Sequence, residues 1–463
     1  MRRAAVLLAL LALAGCGGSE AASPSPSTLH ATLVDADGDG FLEPGAPEPL
    51  GGTRVPAGRT LATFGQLTDT HVRDEESPAR VPFVDRLGPP VTSTFRPQEA
   101  FSTQVLDAAV QALNRERPQA VVVTGDIVDS AQENELDEAL AVLDGRLVAP
   151  DSGDPGYDGV QAASNPDPFF FRPDNDAPRH PGVLDAAQRR FHTDGLRAPW
   201  FPAIGNHDVL VQGEVPATPE IERIATGSEM VVGIDPESVP PLDEDSAPAA
   251  VNALLTQGDV FGRSQTVPAD PRRRHLQPGE VVSRLADAAG VRPAGDRLDY
   301  AFDIGPSVRG IVLDTVDRSG GSDGVLSGAQ LAWLRRELVA TGDRWIVVFA
   351  HNALPEPALA LLDRTPRVAA VIRGNSHRNA IAPRDGYWLI STSSLADFPQ
   401  QARMFRLREA PGGAVLETWM VDHDGHGLAG VARELAYLDA QGGRPQGFAG
   451  RPTDRNMRLF VQP

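Results

Sequence analysis

The sequence predicts an α/β fold: a two-sheet mixed β sandwich flanked by helices, with long cap-like insertions. Three observations carry this reading. Apolar, β-branched runs stop abruptly at Gly, Asp, Asn or His; apolar stripes at helical spacing lie between several of them; and a late series of short apolar runs is separated by Pro and Gly. Continuous β-branched runs bounded by polar residues read as buried parallel strands. In open α/β sheets, ligand-binding residues gather where such strands end.

The most informative run is Ala120-Val121-Val122-Val123, which ends in Thr124-Gly125-Asp126-Ile127-Val128-Asp129. A glycine followed at once by a carboxylate suits a tight turn that offers an oxygen at the sheet edge, so Asp126 is a candidate metal ligand. The same device recurs four more times. The run from Leu61 to Leu67 leads into Thr68-Asp69-Thr70-His71, and the run from Trp200 to Ile204 into Gly205-Asn206-His207-Asp208. The run from Trp345 to Ala350 meets His351, and the run from Val368 to Arg373 meets Gly374-Asn375-Ser376-His377.

In this order and strand setting the residues resemble the calcineurin-like metallophosphoesterases, whose pattern is DxH, GDxxD, GNH(D/E), a lone His and GHxH. The resemblance runs from Thr63 to Ile390. It implies hydrolysis of a small-molecule or lipid phosphate ester with two divalent cations, Mn, Fe or Zn. It assigns the first cation to Asp69, His71, Asp126 and His377, and the second to Asp126 as bridge with Asn206, His351 and Asn375. Asp, His and Asn donors without a thiolate suit hard or borderline ions. A pair of ions can clamp both ends of an in-line displacement at phosphorus. In the family the histidine after the asparagine acts as a positioned general acid; here it is His207, with Asp129 and Asp208 expected to orient it.

The family's last motif has a histidine where this chain has Asn375. A neutral amide oxygen is a poorer partner for a borderline ion than imidazole, so second-site affinity is expected to fall by roughly 10–100-fold. That departure leaves an alternative, a metal-binding lipoprotein of the same fold with weakened or lost catalysis. The retained His207, Asp129 and Asp208 favour an enzyme, because a mere binder has no use for them.

At 463 residues the chain is long enough for one large core carrying insertions. Its formal net charge of -20 argues against a nucleic-acid partner, since phosphate binding by counterion release needs clustered Arg and Lys. An internal anion site remains compatible with that charge, because bound cations dominate their local field. The chain has no lysine, for which we have no functional account.

Residues 1–16 read as an export signal: Arg2-Arg3, the apolar run Ala4 to Ala12, then Leu13-Ala14-Gly15-Cys16. The last four resemble the bacterial lipobox, which implies lipidation of Cys16 and an extracytoplasmic protein anchored to a bacterial membrane, or a secreted one if Cys16 is not modified. The export route stays open. Cys16 is the chain's single cysteine, so no internal disulfide forms. Residues 17–60 read as a tether followed by Asp35-Ala36-Asp37-Gly38-Asp39, the start of an EF-hand-like loop. It fits either calcium at Asp35, Asp37 and Asp39 or a solvated acidic turn, because Ala46 stands where the bidentate Glu belongs.

The main domain is expected over 61–430. Pro97 opens a helix with Phe101, Val105, Ala109 and Leu113 on one face. A second helix covers Asn134 to Asp144 and stops at Gly145. Insertions are expected at about 149–180, where Phe169-Phe170-Phe171 either pin the loop or wall the substrate, and at 209–297, where Arg272-Arg273-Arg274 read as a solvated patch. Strands follow at Asp299 to Ile304 and Val308 to Asp314. Ser327 and Gln330 then cap a helix carrying Leu331, Leu334 and Leu338. The runs Tyr387–Ile390, Met404–Leu407 and Val415–Val421 suggest an antiparallel meander closing a second sheet, with Asp422-His423-Asp424-Gly425-His426 as a hairpin-end turn. Residues 431–463 form a C-terminal extension.

The Asn375→His variant is expected to bind its second cation roughly 10-fold or more tightly. Titration with Mn read by calorimetry checks this, and an unchanged isotherm places Asn375 away from the cation.

Overall fold

The computed structural model describes residues 26–87, 94–234, 247–256, 262–441 and 447–463. The export signal, Cys16 and the first part of the tether lie outside the described residues.

Two mixed sheets face each other. The chain makes β1 (Gly51–Gly52), β2 (Thr60–Leu67), β3 (Ala120–Thr124) and β4 (Trp200–Ala203) in one sheet. It then builds the other from β5 (Tyr300–Asp303), β6 (Val308–Leu313), β7 (Trp345–Ala350), β8 (Val368–Arg373), β9 (Ala380–Arg384) and β10 (Tyr387–Ser391). It returns to the first with β11 (Gln401–Ala410), β12 (Gly413–Asp422) and β13 (Met457–Val461). The seven-stranded order is β1-β13-β12-β11-β2-β3-β4 and the six-stranded order β5-β6-β7-β8-β10-β9. β2, β3 and β4 run parallel, as do β6, β7, β8 and β10.

Period-two alternation sorts the side chains of the second sheet. Trp345, Val347 and Phe349 point into the space between the sheets, whereas Ile346, Val348 and Ala350 pack under the helices Gly328–Ala340 and Glu356–Leu362 through Leu334, Leu338, Ala358 and Leu362. A file of aromatic rings crosses the sandwich. Phe201 stacks on Phe302 at 3.8 Å, Phe302 lies 6.0 Å from Phe349, Phe349 meets Phe64 edge-on at 5.7 Å, and Phe64 stacks on Phe405 at 4.9 Å. Such pairs add to the burial of their large apolar area.

The helix Ser102–Glu116 connects β2 to its parallel neighbour β3 and buries Val105, Ala109 and Leu113. The expected opening at Pro97 is instead a short turn, followed by the 3-10 segment Glu99–Phe101. The helix Glu133–Asp144 ends at Gly145, whose φ of 74° is the left-handed conformation a glycine adopts freely. Ser327 Oγ accepts the Gln330 N–H at 3.2 Å and Gln330 Oε1 accepts the Ser327 N–H at 3.0 Å, a reciprocal cap.

Several sequence expectations are revised. Tyr387–Ser391 does not join a meander with the later strands: β10 pairs parallel with β8 and antiparallel with β9, while β11 and β12 form a hairpin in the other sheet. Gly51–Gly52 and Met457–Val461 belong to the first sheet, where β1 pairs with β13 and β13 with β12. Thr28 is buried and donates to the Met420 carbonyl at 3.0 Å. Asp35, Asp37 and Asp39 draw their carboxylates together, and Asp35 accepts the N–H groups of Gly38 and Gly40.

The insertions share a second, smaller core with the loop after β2, which supplies Ala79, Val81, Phe83, Val84 and Phe95. Phe170 is buried there against Phe95, with Val160, Val211, Ile221, Met230, Leu254 and Val267, so the phenylalanine triplet pins its loop. The later helix Pro278–Ala289 belongs to the main core instead, through Val281, Val282 and Leu285. Arg273 is fully buried rather than solvated: it donates to Asp74 at 2.9 Å, to Ser152 at 2.7 Å and to the Pro268 carbonyl at 2.6 Å. Its neighbours hold Asp270 and Glu133.

Phe349→Ala, which empties the middle of the ring file, is expected to cost about 3–5 kcal/mol. Urea unfolding measures it, and a loss below about 1 kcal/mol would show that the sheets close without this contact.

Candidate metal centre

The parallel strands end on one side of the sandwich, and the loops that follow them meet there. Asp69 and His71 follow β2, Asp126 and Asp129 follow β3, and Asn206, His207 and Asp208 follow β4. His351 follows β7, and Asn375 and His377 follow β8. The crowding leaves no room for a Cβ at two glycines. One added at Gly205 would sit 2.1 Å from Asp126 Oδ1, and one at Gly125 2.7 Å from His351 Nδ1. The backbone itself is strained: Asp69, His71, Asp126, Asn375 and His377 have φ of 51°, 43°, 49°, 65° and 53°. Left-handed conformations of this kind cost on the order of 1–3 kcal/mol each and persist only where the surroundings impose them.

Asp69, His71, Asp126 and His377 bring one ligand atom each within 4.8 Å of one another, enough to hold a metal ion. His71 Nδ1 donates to Asp129 Oδ1 at 3.1 Å and His377 Nδ1 to Asp397 Oδ2 at 2.5 Å. Each imidazole therefore presents Nε2 to the cluster, and the two Nε2 atoms stand 3.2 Å apart. Two nitrogen lone pairs at that distance call for a proton or a cation between them. Burial, reinforced by the His207 charge, pushes the His71 pKa down to about 4. Burial also disfavours charge on His377, but the Asp69 charge and hydrogen bonds to Asp397 and Asp69 outweigh it and raise the pKa to about 10.

His351 reaches Asp126 from the loop after β7. His351 Nδ1 donates to the Thr124 carbonyl at 2.8 Å, leaving Nε2 3.1 Å from Asp126 Oδ2. Burial opposes its protonation, yet the Asp126 charge holds its pKa up at about 9. Asn206 donates its amide to the Gly213 carbonyl at 3.1 Å. Asn206 Oδ1 is buried without a hydrogen-bond partner, whereas His351 Nε2 faces the Asp126 carboxylate. Buried polar atoms are nearly always satisfied, so the unpartnered Asn206 Oδ1 suits a cation ligand. The Asn375 backbone N–H donates to Asp69 Oδ1 at 3.0 Å, while its amide is 3.5 Å from the Ser322 carbonyl at the exposed rim.

His207 stands at the mouth with 23% of its side chain exposed. Its backbone N–H donates to Asp126 Oδ1 at 2.9 Å and its Nδ1 to the Asp129 carbonyl at 2.6 Å, which leaves Nε2 available. Orientation of this ring thus falls to the Asp129 main chain. The Asp129 carboxylate serves His71, Arg73 and Gln212. Asp208 holds no histidine. It accepts the N–H groups of Ile127, Val128 and Gly205 and so ties the β3 loop to the β4 loop. Burial and then the Asp126 charge raise its pKa to about 7 despite those donors. Asp397, Arg73, Arg96 and Gln212 were not found from the sequence, because none sits in a glycine-flanked motif at a strand end.

The family model described as Metallophos, calcineurin-like phosphoesterase, matches residues 62–379. Among solved structures, the Thermus thermophilus sulfate thiohydrolase SoxB, in complex with glycerol, is 12% identical with a TM-score of 0.32, over 84% of this chain and 61% of that chain. A Staphylococcus aureus protein assigned as a 5′-nucleotidase, in complex with α-ketoglutarate, is 12% identical with a TM-score of 0.29, over 75% of this chain and 51% of that chain. The chain therefore spans less than two thirds of either. No curated protein matches it.

Metal uptake should release protons, because ligating imidazoles must be neutral and His351 and His377 hold theirs up to about pH 9 and 10 in the metal-free chain. Affinity should rise with pH through that range and weaken as pH falls. Calorimetry at pH 7 in buffers of different ionisation enthalpy should show roughly two protons released; a buffer-independent heat contradicts this.

Proposed function

The chain belongs to the calcineurin-like phosphoesterases, and from that premise we propose that it hydrolyses phosphate esters at a two-cation site, outside the cytoplasm. One observation carries the proposal: the buried Asp126 carboxylate clusters with Asp69, His71 and His377, its Oδ2 also meets His351 Nε2 at 3.1 Å, and the buried Asn206 Oδ1 is left without a partner. A shared carboxylate has a purpose only if two ions flank it.

Cations held there by these residues would supply Lewis acidity at phosphorus and lower the pKa of a bound water. The rest falls to side chains of this chain. His207, braced by Asp126 and Asp129, points Nε2 into the opening, where its charged form can hand a proton to the leaving oxygen. Gln212, four positions after Asp208, holds Asp129 from the side of the insertions at 2.9 Å. The Gly213 carbonyl keeps the Asn206 amide turned so that its oxygen faces the site. The metal-binding reading without catalysis leaves the braced and partly exposed His207 unexplained.

The extracytoplasmic address and the lipid anchor rest on Arg2-Arg3, the apolar run and Leu13-Ala14-Gly15-Cys16. Among the described residues no helix is long and apolar enough to cross a membrane.

An aryl phosphate monoester and diester, each assayed with Mn, Fe, Zn and no metal, test the proposal. Turnover should require metal, vanish in Asp126→Ala and fall roughly 10²–10⁴-fold in kcat in His207→Ala with metal content retained. No turnover of either ester by the wild type under any condition would contradict it.

A further inference from the structure

Behind the first cluster, two arginine–aspartate pairs lead from its histidines to one oxygen. Arg73 Nη2 donates to Asp129 Oδ1 at 2.5 Å, the oxygen that holds His71, and Arg73 Nη1 donates to Glu99 Oε2 at 2.7 Å. Arg96 grips Asp397 through Nε at 2.7 Å and Nη2 at 3.2 Å, while Asp397 holds His377. The Arg96 backbone N–H donates to the same Glu99 Oε2 at 3.1 Å. Glu99 is itself fixed by Arg80, which reaches both carboxylate oxygens at 3.0 Å; the side chains of both residues are fully buried.

We propose that Glu99 is a positioning residue for the first cation, locking the imidazoles of His71 and His377 together through Arg73–Asp129 and Arg96–Asp397. The physical reasons are two. A carboxylate on Nδ1 fixes which ring nitrogen is free and how the ring is turned, and it raises the basicity of the other nitrogen. A buried guanidinium behind each carboxylate leaves that carboxylate no alternative rotamer without stranding a charge. Because both chains end on one carboxylate of a short 3-10 segment, a shift of Glu99 moves both rings at once. His351 lies outside this arrangement, since its Nδ1 donates to the Thr124 main chain. The effect should therefore be confined to one of the two cation positions.

The inference rests on the proposed two-cation reading, but its readout is metal binding rather than turnover, so the two can fail separately. The test is titration of the full-length metal-free chain with Co²⁺, followed by calorimetry and by the visible absorption of the bound ion. His377→Ala and Asn206→Ala mark which binding step belongs to which position. In Glu99→Gln the step abolished by His377→Ala should weaken roughly 10–100-fold with an altered Co²⁺ spectrum, while the step abolished by Asn206→Ala stays within about 2-fold. Glu99→Asp, which keeps the charge but draws the carboxylate back from Arg73 and the Arg96 N–H, should do the same and carries the test if Glu99→Gln does not fold. Equal weakening of both steps, tracking a lower Tm, would make Glu99 merely structural and overturn the proposal. Unchanged affinities in a folded Glu99→Gln would overturn it as well.

Discussion

The whole arrangement answers to one constraint, the burial of the Asp126 carboxylate among imidazoles. An ionised carboxylate removed from water is stable only if positive charge or directed donors replace its hydration. Here His351 stands 3.1 Å from one oxygen and the His207 N–H 2.9 Å from the other, and these partners hold the group well below the usual carboxylate range against the penalty of burial. In the metal-free chain, protons on His351 and His377 balance the cluster. Cations are the natural replacement for those protons.

Holding such a cluster demands a stiff frame. The parallel strands of both sheets deliver their loops to one side, and the ring file from Phe201 to Phe405 keeps the sheets in register behind them. Gln66, on β2, spans the gap itself, donating to Thr124 in its own sheet and to the Arg373 carbonyl in the other. The left-handed residues of the ligand loops are then over-determined by hydrogen bonds, among them the three that Asp208 accepts across the β3 and β4 loops. The insertions join the same frame through Arg273 on Asp74 and Gln212 on Asp129, so the small outer core is anchored beside the opening.

The strand-to-loop junctions were legible in the sequence because burial on both faces leaves an unbroken apolar run and the turn after it demands glycine, as at Gly125 and Gly205. Helix faces and the Ser327 cap were legible for similar local reasons. Sheet membership was not. Tyr387–Ser391 has the same period as β11 and β12, and nothing in its composition says that it pairs with β8. Arg273 looked solvated because its partners, Asp74 and Ser152, are remote in sequence. The same holds for Arg96 and Asp397, and for Glu99, whose role appears only once Arg73, Arg80 and the Arg96 turn are brought around it. Asp208 reads like a partner for the adjacent His207, yet backbone N–H groups that no sequence pattern displays take its oxygens.

The most direct measurement is anomalous scattering from crystals of the chain grown with Mn²⁺, recorded on both sides of the manganese absorption edge. Two peaks about 3.5–4 Å apart, one among Asp69, His71 and His377 and one beside Asn206 and His351, with the Asp126 carboxylate between them, are the expected result. A single peak that avoids Asp126, or manganese bound only at Asp35, Asp37 and Asp39, would contradict a two-cation centre.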